Sequence, residues 1–168
     1  MLNKLIHIIN NINEFIGRTI AWCLLAMVAI TFFNVVLRYG FSLGSIAVQE
    51  SVIYLHAFVF MLALAYTYKH DAHVRVDVFY ANFSAIQKAW VDLLGTVILL
   101  LPFCFYVAIS SWEYTHNSWK LWESSAEAGG LPFVYILKTL IPVMPLLLAL
   151  QAIAVVLTSI QTLTKQHS

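Results

Sequence analysis

Four long, nearly uninterrupted apolar blocks restrict the fold of this chain more than any other feature. They run over 19–37, 48–68, 91–111 and 131–158, and each can cross a hydrocarbon core, which takes about 20 helical residues at about 1.5 Å apiece. An isolated strand would leave its backbone groups unpaired in lipid, and the alternation of a β-barrel is absent, so helix is the expected form. Composition agrees. Of the 168 residues 61% are hydrophobic and 10% charged, against about 45–50% and about 25% in soluble domains. The expected fold class is an all-α membrane protein, four tilted transmembrane helices plus short amphipathic interfacial helices, forming a single membrane domain over 1–168.

The segments between the blocks carry the polar character. In 1–17, Leu5, Ile8, Ile9, Ile12, Phe15 and Ile16 repeat at helical spacing while Asn10, Asn11, Asn13 and Glu14 fill the other positions. That pattern predicts an amphipathic helix on the cytoplasmic leaflet, leading into the first span. In 70–88, Val74, Val76, Val78, Phe79 and Phe83 mix with His73, Arg75, Asp77 and Asn82, which predicts a cytoplasmic interfacial loop or helix. Lys4, Arg18, Lys69, Arg75, Lys88 and Lys165 fall on one side; Arg38, Lys120 and Lys138 fall on the other. The excess of positive charge places both termini in the cytoplasm and the 112–130 loop opposite. Pro142 and Pro145 predict that the fourth block tilts, kinks or runs partly along the surface, and Pro132, after Gly129 and Gly130, suits a helix start.

Several kinds of chemistry are disfavoured. A net charge of +1 without a basic patch argues against nucleic acid as a partner. Cys23 and Cys104 lie inside apolar blocks and read as small buried hydrophobes. Of six histidines only His56 lies within a span, so no pair of facing imidazoles is available for a haem. His70, Asp71 and His73 read as polar residues clustering where a helix leaves lipid. With no HExxH, GxSxG or Gly-rich phosphate loop, neither an enzyme nor a cofactor is expected. No small-residue cleavage pattern follows the first block, so a removed signal peptide is not expected either.

Charged residues inside spans cost about 2.5–3.5 kcal/mol at mid-membrane. Here Glu50, Asp92 and Lys138 all sit near the start of a span. Arg38 ends the first span and Glu50 opens the second, which puts both at one membrane face and predicts a salt bridge between them. Met27, Thr31, Asn34 and Arg38 share a helical face, so Asn34 and Arg38 present a polar edge to a neighbouring helix. The span centres are almost wholly apolar, and no matching pair of broken spans occurs, as a transport pathway ordinarily requires. The chain reads as a support and not as a conduit; the rival readings are a membrane anchor for a redox enzyme and a self-sufficient small transporter.

A set of motifs then points to a family. These are Asn34-Val-Val-Leu-Arg38-Tyr39 at the end of the first span, Glu50 opening the second, and Ala65 to Tyr80 leaving it. They continue with Trp112, the run Ser124 to Pro132, Lys138 and Pro142. In this order and sidedness the chain resembles the small membrane subunit, DctQ-like, of tripartite ATP-independent periplasmic (TRAP) transporters. The resemblance implies a multi-pass protein of the bacterial inner membrane. Its partners would be a large membrane subunit, which holds the sodium and substrate sites and moves like an elevator, and a periplasmic binding protein that captures an organic acid. The small subunit would itself hold no cofactor. By the same resemblance Asn34, Arg38, Glu50, His73, Arg75, Asp77 and Lys138 are candidates for the large-subunit interface or for structural pairing. Lys120, Glu123 and Glu127 are candidates for docking the binding protein.

Overall fold

The computed structural model describes residues 2–73 and 80–165. Among these it holds four helices long and apolar enough to cross a membrane: α1 (Leu2–Gly40), α2 (Ile46–Lys69), α3 (Ala85–Lys120) and α4 (Val134–Lys165). Arg75 and Asp77, with most of the apolar residues expected in the 70–88 segment, lie outside the described residues. Ala85 to Lys88 of that segment belong to α3. Ser84 caps this helix with a reciprocal box: its hydroxyl accepts from the Gln87 backbone N–H at 3.3 Å while the Gln87 side chain accepts from the Ser84 N–H at 2.8 Å.

The helices pack mainly on α4. Of its most apolar stretch 39% is buried, against 6%, 0% and 11% for α1, α2 and α3, and α4 touches each of the other three. The total accessible surface is 11149 Å², whereas a compact soluble protein of 19.0 kDa would expose about 8,400 Å². Phe32, Phe33, Leu99, Phe105 and Tyr106 are all more than half exposed. So the chain is an open array of helices around one post, with broad apolar faces outward.

α4 carries Pro142 and Pro145 yet continues as helix for 32 residues. A helical proline removes one N–H and crowds the carbonyl four residues earlier. For Pro142 that carbonyl belongs to Lys138, and it accepts the Thr115 hydroxyl of α3 at 3.2 Å. A neighbouring helix thus satisfies the freed group, as lipid cannot. α3 deals with Pro102 differently. Its backbone widens to a π-turn over Thr96–Leu100, with the Leu101 N–H reaching back to the Thr96 carbonyl; the extra residue eases the crowding that Pro102 imposes on the preceding turn.

The N-terminal segment is continuous with the first span: α1 is a single helix of 39 residues, about 58 Å long. Most of its polar stripe is turned toward other helices. Ile9, Asn13, Gly17 and Ile20 are buried, and Asn13 donates to the Gln151 side chain at 2.8 Å. Gln151 donates in turn to Asn10 at 3.0 Å, and Gln161 donates to Asn3 at 2.7 Å. Leu5, Ile8, Ile12 and Phe15 are exposed, and of the stripe so is Asn11. The polar side is used for helix pairing because an amide pair out of water is stable only when both partners are present. Asn13 and Gln151 are each 2% exposed. Asn13→Leu or Gln151→Leu alone is therefore expected to lower stability by about 1–2 kcal/mol, and the double substitution by less than the sum. Thermal unfolding of the three variants in detergent measures this, and strict additivity would rule out the coupling.

Candidate functional site

The densest set of polar contacts lies at the end opposite the termini, around Glu50. Ser45 precedes α2, and Glu50 stands in its second turn. One Glu50 oxygen accepts the Ser125 hydroxyl, and the other accepts the Leu131 backbone N–H at 2.6 Å. Both donors belong to the connection between α3 and α4. That connection is also tied to itself: the Ser125 N–H donates to the Leu131 carbonyl at 3.0 Å, the Gly130 N–H to the Glu127 carbonyl at 3.0 Å, and the Glu127 N–H to the Ser125 hydroxyl at 3.1 Å. The two glycines serve different ends. Gly129 has φ +83°, and a Cβ on Gly130 would lie 2.4 Å from the Ser125 hydroxyl and 2.8 Å from Glu50. Only glycine fits both positions.

The same loop is anchored to α4. Lys138 donates to Glu123 at 2.5 Å and lies 4.0 Å from the centre of the Tyr114 ring. The Val134 N–H, which no intrahelical carbonyl reaches, donates to the Glu123 carbonyl at 3.1 Å. This explains why α4 begins at Val134, two residues beyond Pro132. Trp119, Trp122, Phe133 and Tyr135 stack edge to face nearby, with Trp119 and Tyr135 centroids 4.6 Å apart, and the Trp119 indole donates to Thr139 at 2.8 Å.

The Lys138 ammonium holds the Glu123 carboxyl below its ordinary range. A depressed carboxylate contributes stability that is present above the unfolded value, about 4.3, and lost as pH falls through the folded one. Loop protection from protease should therefore stay level from neutral pH to about pH 5 and then decline. Glu123→Gln should flatten the decline; an identical acid profile in wild type and variant would exclude this tie.

A second cluster joins α1 to the end of α2. Glu14 accepts from Arg18 at 2.7 Å, Lys69 at 2.6 Å and His70 at 2.8 Å. Lys69, in the last turn of α2, also favours its carbonyl end. Beside them Tyr66 rests on His70, with centroids 4.4 Å apart, and closes over Gly17. A third polar region borders the π-turn, where a cavity of about 340 Å³ is lined in part by Tyr68, His73, Asp92 and Thr96. Tyr68 and Thr96 share a 2.7 Å hydrogen bond, and Tyr80 donates to Asp92 at 3.1 Å.

The residues singled out in the sequence separate into distinct groups. Glu50 is engaged, but not by Arg38: the expected salt bridge is absent, Arg38 is exposed without an ion-pair partner among the described residues, and both Glu50 oxygens are taken by the α3–α4 loop. Sharing a membrane face was not enough, because neutral donors in the loop reach the carboxylate. Lys138 and Glu123, assigned to different partners by the resemblance, bind each other. His73 turns back on α2 and donates to the Leu64 carbonyl at 3.3 Å. Asn34 is half-buried, whereas Lys120 and Glu127 are exposed. Ser125, the Leu131 N–H, Thr115 and the Asn13–Gln151 pair escaped the sequence reading. Gln151, one amide in an otherwise apolar block, was the available signal for the last.

Residues 27–162, which include the Glu50 clamp and its loop, match the family model described as "Tripartite ATP-independent periplasmic transporters, DctQ component". A Vibrio cholerae protein named C4-dicarboxylate TRAP transporter small permease protein DctQ is 29% identical over 107 residues, covering 64% of this chain and 44% of that one. The match thus spans less than half of that relative's length. A Haemophilus influenzae protein named putative TRAP transporter small permease protein is 30% identical over 112 residues, 67% of each chain. No solved structure matches. Asn13 and Glu14 themselves lie before the matched stretch, whereas α2, α3 and most of α4 lie within it, and on that extent of agreement the chain belongs to the DctQ component family of TRAP transporters.

Proposed function

We propose that this chain is a non-catalytic small permease subunit of the bacterial inner membrane that braces the static scaffold of a large elevator-type subunit. It also helps to dock a periplasmic binding protein during sodium-coupled uptake of an organic acid. The sodium and substrate sites belong to the large subunit. The observation that carries the reading, beside family membership, is the use made of the polar groups within the helices. Gln151, Thr115 and Lys138 are spent on interhelical or loop contacts.

Bracing follows from mechanics. A moving domain carries a site across the bilayer only if its surroundings stay still, and added helices with broad apolar faces widen the footprint in lipid. In this reading both termini are cytoplasmic and the clamped loop is periplasmic, where exposed Lys120 and Glu127 are available to a soluble partner. Reconstitution in liposomes tests it. The chain with the large subunit and binding protein should give sodium-dependent uptake, and omitting the chain should abolish it. Uptake by the chain alone would overturn the reading.

A further inference from the structure

The outward surfaces of the helices are not equivalent. α1 shows lipid Leu25, Val28 and Phe32, and α3 shows it Ile98, Leu99 and Phe105; these side chains lose nothing in hydrocarbon. On α2, beyond Ile46 at its start, the residues turned outward are Ile53, His56 and Phe60, and Gln49, half-buried, extends the same row. The spacings are four, three and four, the repeat of a seam that receives a second helix. His56 stands ten residues from the start of α2, about 15 Å along it and so near the middle of a hydrocarbon core of about 30 Å. Its ring stacks on Phe60 with centroids 6.3 Å apart. It has no hydrogen-bond partner among the described residues.

An imidazole facing acyl chains at mid-bilayer would leave an N–H donor and a nitrogen acceptor unsatisfied, and such residues almost always face protein or a water-filled cavity. We propose that the row Gln49, Ile53, His56 and Phe60 is the seam onto which one transmembrane helix of the large subunit packs. His56 hydrogen-bonds there to a polar group of that helix. The inference rests on the bracing reading and adds to it the face that is covered. α2 suits the task because its opposite side is already held by α1 through Gly17 and Tyr66 and by α4. Small cores of this kind, with apolar knobs around a polar contact, fit membrane helix pairing, in which packing and hydrogen bonds replace the hydrophobic effect.

The test uses the whole transporter in membranes, with a photocrosslinking residue at Ile53 or Phe60 and, as comparisons, at Leu25 or Leu99. Adducts with the large subunit at the first two positions and not at the others are expected. His56→Leu should lower the amount of small subunit copurifying with a tagged large subunit severalfold, and His56→Gln should restore it. If the subunits copurify but Ile53 and Phe60 give only lipid adducts, or adducts with a second copy of this chain, the seam is wrong while the assembly stands. Equal recovery of wild type, His56→Leu and His56→Gln would overturn the role given to His56. Failure of the wild-type chain to copurify at all would overturn the assembly reading and the seam with it.

Discussion

Replacing Glu50 with Leu is expected to release the loop between α3 and α4 and to abolish most uptake by the reconstituted transporter. The carboxylate joins α2 to both sides of that loop, through Ser125 and the Leu131 N–H. Without it the loop keeps its own turn and its tie to Lys138, but it has no hold on α2. Limited proteolysis should then cut between Leu121 and Phe133 faster than in the wild type. Glu50→Gln should fall between the two, because its amide oxygen accepts one donor while its NH₂ opposes the other. Charge-swapping Arg38 and Glu50 together should not recover function, since no bond joins them. Protease protection unchanged in Glu50→Leu, or recovery in the swapped pair, would show that the clamp is incidental.

Gly17→Leu is expected to separate α1 from α2. A Cβ at this position would lie 2.3 Å from the Tyr66 ring, and the atoms it meets are the ring's base and the Tyr66 Cβ, not a flexible tip. Overpacking of a tight contact costs about 1–3 kcal/mol; Gly17→Ala should fall near the lower end and Gly17→Leu at or beyond the upper. Tyr66 cannot simply swing away, because the tilted His70 ring lies against it and donates to Glu14. The disturbance should therefore reach the Glu14 cluster. Combining Gly17→Leu with Tyr66→Ala should cost less than the two changes added. Detergent melting curves read all of these, and a Gly17→Leu protein melting with the wild type would refute the close approach.

Much of this was legible before any helix was positioned. The four blocks, the conspicuous Gly129 and Gly130, and the clustering of informative residues at helix ends all follow from properties that read along the chain. Glu50 and Lys138 stood out because an ionised group near lipid needs a partner. Which partner it finds was not legible. Arg38 and Glu50 lie close in sequence and at one face, yet Glu50 is held by residues 75 and 81 positions away. The stripe containing Asn10, Asn13 and Glu14 has the period of a surface helix, and periodicity does not distinguish a polar side that meets water from one that meets Gln151 and Lys69.

Hydropathy by itself determined that the chain crosses a membrane as four helices, because the transfer of each residue into lipid is nearly independent of its distant neighbours. Family membership came from the same linear information. Tertiary structure alone decided that α4 is the central post, that α1 turns Asn10 and Asn13 toward Gln151, that Thr115 answers for Pro142, and that His56 on α2 stands exposed with no hydrogen-bond partner among the described residues. Those outcomes depend on which helices lie side by side and at what height. In lipid a hydrogen bond that is not made within the chain must be made elsewhere, so the pairing of a few polar groups, and not the apolar content of the spans, settles the arrangement.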